Sequence, residues 1–224
     1  MASKSIPLRR RVFYLYGAVR RRIEDFLDRI GFYERRAATP HAVKRRVVRD
    51  FAARYKAVNF VETGTYLGDM IAAMLRWFDR LYSVELSAVL YEKAVTRFTR
   101  HKKVRILHGD SAVEIVRILS ELSGRTLFWL DAHWSGGNTA RGNIDTPIFA
   151  ELDQIFGAAR EEPVILVDDA RCFVGTDGYP TIDGLRQRVA RWRPHYTVSV
   201  ERDIIRIVPP GGGDAVSNAS HGAQ

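Results

Sequence analysis

The chain has 224 residues, 46% of them apolar and 27% charged, which is the composition of one globular domain and excludes a wholly disordered or membrane-embedded chain. Its net charge of +9 is unevenly placed: residues 1–50 hold 14 Lys and Arg against 5 Asp and Glu, while residues 51–224 hold 21 of each. The body is therefore neutral, and a nucleic-acid partner inferred from overall charge is excluded for most of it. The single cysteine, Cys172, excludes an internal disulfide and fits a reducing compartment. No apolar run approaches the roughly 18–20 residues that a membrane span needs.

Arg10-Arg11-Val12-Phe13 has the look of a twin-arginine export signal. The apolar stretch behind it is short and runs into Arg20-Arg21-Arg22 with no small-residue cleavage site, so the chain is expected to stay in the cytoplasm. Val12, Tyr16, Val19, Ile23, Phe26 and Ile30 recur at helical spacing, with the arginines on the opposite face. This basic amphipathic segment reads as a docking face for the body or a second subunit, or as a face resting on an anionic membrane surface or lipid-linked glycan. In the second case the protein sits at the inner face of the membrane. Either way the segment is expected to stand apart from the chemistry. Thr39-Pro40 then caps a second helix with Val43, Val47 and Phe51 on one side.

Beyond it, β-branched runs alternate with helical patterns. Strands are expected at 58–62, 81–85, 104–107, 126–130 and 163–167, and helices near 68–78, 87–100, 111–122, 146–158 and 181–193. That alternation predicts an α/β protein with a parallel sheet covered on both faces. Residues 196–200, a turn at Glu201-Arg202-Asp203 and residues 204–208 read as an antiparallel hairpin. The Gly211-Gly212-Gly213 stretch opens a polar tail, 209–224, with the composition of disorder. The division expected is a helical extension at 1–54, a catalytic domain at 55–208 and the tail.

Open α/β sheets bind ligands beyond the carboxyl ends of their strands. The first strand ends in Glu62-Thr63-Gly64-Thr65-Tyr66-Leu67-Gly68. Gly64 permits a tight turn and Gly68 lets the next helix start close by. Tyr66 stands where a nucleotide-phosphate loop usually has another glycine, which argues against a pyrophosphate cradle. Glu85 ends the second strand, 21 residues after Gly64; it can accept from a ribose diol, or serve as an acid at a helix start. Asp110, in Gly109-Asp110-Ser111, can accept from an exocyclic amine or cap the following helix. Together the turn and the two acids describe a pocket for an adenosine-containing ligand without a phosphate chain.

The fourth strand runs into Asp131-Ala132-His133-Trp134 and the fifth into Asp168-Asp169. Three carboxylates at neighbouring strand mouths are costly unless they meet cations. They suit Mg²⁺; alternatively they cap helices or pair with Arg171 and Arg141. His133 is the candidate general base, since it titrates near neutrality, and a structural role is open to it too.

These motifs resemble those of class I S-adenosylmethionine-dependent methyltransferases, in the form found in metal-dependent O-methyltransferases of the catechol and macrocin (sugar) type. The resemblance covers about residues 55–208. It implies a Rossmann-like methyltransferase fold, a mostly parallel seven-stranded sheet ending in an antiparallel hairpin, preceded here by N-terminal helices. It also implies that Glu62, Gly64, Thr65, Tyr66, Gly68, Glu85, Asp110 and Ser111 hold S-adenosylmethionine. Asp131, Asp168 and Asp169 match the positions of the family's Mg²⁺ ligands, with Asp131 and His133 acting on a hydroxyl of a sugar or small polar acceptor. The catechol enzymes carry a lysine base three residues past the first aspartate, where this chain has Trp134. A scaffold protein that keeps the fold and docks through its basic helix is the alternative. Base methylation of nucleic acid is not expected, because Asp131-Ala132-His133-Trp134 replaces the motif that such enzymes carry after the fourth strand.

Overall fold

The structure is a computed structural model that describes residues 39–131, 147–176 and 178–211. The expected helix over 12–30, His133, Trp134, Arg141 and the tail from 212 lie outside the described residues. Within them the order is α1 (His41–Tyr55), β1 (Asn59–Thr63), α2 (Asp69–Met74), β2 (Arg80–Glu85), α3 (Ala88–Phe98), β3 (Val104–His108) and α4 (Ser111–Glu121). There follow β4 (Thr126–Leu130), α5 (Ile148–Ala158), β5 (Val164–Val167), a 3₁₀ turn (Ala170–Cys172), α6 (Ile182–Trp192), β6 (Thr197–Glu201) and β7 (Ile204–Val208).

The seven strands form one sheet in the order β3-β2-β1-β4-β5-β7-β6. The pairings among β1 to β5 are parallel, and β7 runs antiparallel to both β5 and β6. Successive side chains on a strand point to opposite faces, and here both faces are covered. Phe60, Leu81, Leu127, Trp129, Val164 and Leu166 pack with residues of α1, α2 and α3. Val61, Val84, Phe128, Leu130, Ile165 and Val167 pack with residues of α4, α5 and α6. That is why the central strands are unbroken apolar runs rather than alternating ones.

Element ends follow local chemistry. Pro40 precedes α1 with φ −60° and accepts from the N–H groups of Val43 and Lys44, and Lys56 closes the helix in the left-handed region (φ 53°). Thr181 caps α6 by accepting from the Gly184 N–H at 3.0 Å. The expected helix 68–78 is shorter, because the chain leaves it after Met74 and turns Phe78 into the core against Phe60, ring to ring at 5.1 Å. In the hairpin, Glu201 belongs to β6 and the turn is Arg202-Asp203, with φ 53° and 58°. Positive φ at both central residues is what a two-residue type I′ connection requires. The boundary drawn at residue 54 falls in the last turn of α1, whose Val43, Val47, Val48, Phe51 and Tyr55 are core residues.

Candidate functional site

Past their last paired residues the strands stay joined. The Gly109 N–H donates to the Glu85 carbonyl (3.1 Å), Gly64 to Val84 (3.0 Å), Asp131 to Thr63 (3.1 Å) and Asp168 to Leu130 (3.0 Å). Gly64, Glu85, Gly109, Asp131 and Asp168 therefore lie along one edge of the sheet, at the carboxyl ends of five strands. Chain order reverses at β1, which has β2 on one side and β4 on the other. This is the switch point at which open α/β sheets form their crevice.

The turn after β1 passes through the left-handed region at Gly64 (φ 83°), Tyr66 (φ 47°) and Gly68 (φ 74°). At Gly68 a Cβ would stand 2.7 Å from Phe98 Cε2, so this position is fixed both by backbone conformation and by the approach of α3. The strained Tyr66 is held by Glu85: its N–H donates to Oε2 at 2.8 Å, while the Ser87 N–H donates to Oε1 at 2.9 Å. Glu85 thus also serves the start of α3, and each carboxylate oxygen keeps acceptor capacity for a diol.

Beneath the turn, the hydroxyls of Thr65 and Ser83 lie 2.6 Å apart, and Ser83 donates to Glu62 Oε2 at 2.7 Å. Glu62, Thr65 and Ser83 are all buried. Burial pushes the Glu62 carboxyl well above the usual range, the Ser83 hydroxyl pulls the other way, and the charges of Asp131, Glu85 and Asp69 push it further up. Ser83, which the sequence reading passed over, is the link between two predicted cofactor residues. Asp110 caps α4, accepting from the Ala112 N–H at 2.9 Å, and Ser111 is the buried first residue of that helix.

Asp168 and Asp169 are buried and Asp131 is half-buried. The cation that meets them comes from α1. Lys44 Nζ donates to Asp168 Oδ2 and lies 3.6 Å from Asp169 Oδ1. Burial works against the Lys44 charge, but Asp168, Asp169 and Asp131 outweigh it and raise the ammonium pKa. Arg171 donates to Asp169 Oδ1 at 2.7 Å and also to Asp203. Pairing of these acids with Arg171, one of the two readings of the sequence, is what Asp169 does.

Lys44 is one of the basic residues of the front end, yet it sits against Asp168 at the carboxyl end of β5. The sequence carried a signal for it: Lys44 stands four, seven and eleven residues before Val48, Phe51 and Tyr55, in line with a buried helical stripe. A divalent ion needs carboxylate oxygens free to converge on one point. Here Asp168 and Asp169 are engaged by the chain's own cations, and among the described residues no group of three or more His, Cys, Asp or Glu is arranged to hold a metal. As arranged, the set does not fit Mg²⁺.

No family model and no characterised protein matches the sequence, but the fold matches solved structures. An O-methyltransferase from Bacillus cereus, in complex with S-adenosylhomocysteine, aligns with a TM-score of 0.54 at 16% identity over 83% of this chain and 89% of that one. The O-methyltransferase TomG from Streptomyces achromogenes, involved in tomaymycin synthesis and solved with S-adenosylmethionine, aligns with a TM-score of 0.51 at 17% identity over 77% and 82%. Strand order, the reversed β7 and these likenesses define the fold as the Rossmann-like fold of class I methyltransferases.

Proposed function

We propose that this chain is an S-adenosylmethionine-dependent O-methyltransferase acting on a hydroxyl of a sugar or another small polar acceptor. The observation that supports this reading most is the Glu85 carboxylate, fixed by two backbone N–H groups against the Tyr66 turn at the switch point of the sheet. In that position it accepts from both hydroxyls of a ribose. Glu62, Gly64, Thr65, Tyr66 and Gly68 form the floor and turn beneath the cofactor, with Asp110 and Ser111 at the adenine end. A sulfonium is cationic, so a crevice lined with acids favours it over its neutral product.

Methyl transfer is a direct displacement. The acceptor oxygen forms a bond to the methyl carbon, the carbon–sulfur bond breaks, and its electron pair returns to sulfur to leave S-adenosylhomocysteine. The hydroxyl proton passes to a base, for which His133 is proposed, with Asp131 beside the reacting oxygen. The protein's work is alignment and deprotonation. Residues 9–30 are proposed to rest on an anionic membrane surface or a second subunit, at the cytoplasmic side. Among the described residues no helix is long and apolar enough to cross a membrane.

Calorimetry of the full chain with S-adenosylhomocysteine tests the reading. Saturable binding is expected, weakened at least about tenfold, or ~1.4 kcal/mol, in Glu85→Ala. His133→Ala should keep that affinity and lose transfer of labelled methyl groups to a panel of sugars and catechols. A chain that binds no cofactor would instead be a scaffold that keeps only the fold.

A further inference from the structure

We propose that the cation of this site is the Lys44 ammonium, delivered by α1 into the position between Asp168 and Asp169, and that methyl transfer here proceeds without a divalent metal. The inference rests on the methyltransferase reading and departs from the metal-dependent pattern that the sequence motifs resemble.

Three observations carry it. The first is contact: Nζ donates to Asp168 Oδ2 and stands 3.6 Å from Asp169 Oδ1, with side chains only 15%, 2% and 12% exposed. The second is anchorage. Lys44 continues the stripe of Val48, Phe51 and Tyr55, which is buried in the core with Trp129 and Leu166 from the strands beneath. The stripe fixes the Lys44 backbone above the aspartate pair, so the side chain reaches the acids from a set position on α1. The third is charge. Asp169 also accepts from Arg171 at 2.7 Å, so the aspartate pair meets two cations of the chain. A divalent ion entering here must displace Lys44 and leave a partly buried ammonium unpaired, a change that is strongly destabilising.

Chemically the ammonium does part of what a metal does. It has three N–H donors. One goes to Asp168, and the position beside Asp169 leaves another for an acceptor oxygen at the mouth of β5. A cationic donor there orients the hydroxyl and lowers the cost of its deprotonation, while the proton itself goes to a separate base.

The probe is Mn²⁺, followed by electron paramagnetic resonance in the full chain saturated with S-adenosylhomocysteine. Expected are no saturable Mn²⁺ binding to the wild type, a new saturable site in Lys44→Met, and loss of that site when Asp168→Asn is added. Lys44→Gln serves as a second variant, and S-adenosylhomocysteine calorimetry on each sample reports that it is folded. Saturable Mn²⁺ binding to the wild type that Asp168→Asn removes would overturn the proposal, as would a folded Lys44→Met that gains no site. The wild-type titration decides the point by itself if neither lysine variant folds. Absence of S-adenosylhomocysteine binding to the wild type marks failure of the methyltransferase reading instead, whatever Mn²⁺ does.

Discussion

Glu62 is buried and Lys44 partly buried at the carboxyl ends of the strands, and their surroundings treat them in opposite ways. Lys44 keeps its charge because three aspartates oppose the cost of burial. Glu62 faces burial together with the charges of Asp131, Glu85 and Asp69, against a single hydrogen bond from Ser83, so its carboxyl stays protonated to a higher pH than an ordinary glutamate. A group whose folded pKa lies above its unfolded value makes the fold less stable as pH rises between the two values. Glu62→Gln, which retains an acceptor for Ser83, should flatten that slope. A bound sulfonium and its ammonium favour the ionised form. Binding of S-adenosylmethionine should therefore release a proton and tighten as pH rises toward the unliganded pKa. Calorimetry in buffers of different ionisation enthalpy measures the release, which should vanish in Glu62→Gln. An unchanged proton count in that variant would remove Glu62 from the cofactor site. Glu62, Glu85 and Asp110 were legible in the sequence because each stands at or just past the carboxyl end of a strand. Ser83 was not, since a serine inside an apolar strand has no signature until its hydroxyl is seen to join Thr65 to Glu62.

At the scale of elements, α1 couples stability to the site. Phe51 is buried, stacks on Tyr55 at 6.0 Å between ring centroids, and lies under the Arg206 guanidinium at 5.2 Å. Phe51→Ala should cost about 3 kcal/mol, lowering the thermal midpoint by roughly 6–12 °C in a domain of this size. A melt unchanged by the substitution would mean that α1 is not part of the folded core. Strands were the most legible elements, with β4 read at its observed bounds, because a strand covered on both faces must be apolar throughout. Ends were less legible where tertiary contacts decide them. The helix after β1 stops early because Phe78 has a place beside Phe60, and no local residue announces that. α1 itself was predicted as a helix with Val43, Val47 and Phe51 inward. Its Lys44 counted only among the basic residues of the front end, because a lysine in line with a buried stripe acquires meaning only when the opposing Asp168 and Asp169 are brought beneath it.

For the whole molecule the charge asymmetry makes a division of labour. Residues 1–38 hold ten Lys and Arg against four Asp and Glu, so their removal takes the net charge from +9 to +3. The described core begins at Thr39, and the acids of the crevice are met by cations that the remainder still contains: Lys44 and Arg171. Each Lys or Arg near an anionic bilayer contributes about 1 kcal/mol at low ionic strength, a contribution that salt screens within about 10 Å at 0.1 M. If the front segment serves the membrane, the full chain should sediment with phosphatidylserine-containing vesicles at low salt and be released as salt rises. A chain starting at Thr39 should stay in the supernatant while binding S-adenosylhomocysteine within about twofold of the full chain, a difference of only ~0.4 kcal/mol. Loss of cofactor affinity in the shortened chain would show that the segment completes the pocket. Equal sedimentation of both chains would move the membrane contact onto the body. Retained affinity with no sedimentation of either chain would leave a second subunit as the partner of residues 9–30. Analytical ultracentrifugation of the two chains would then have to show association of the full chain alone.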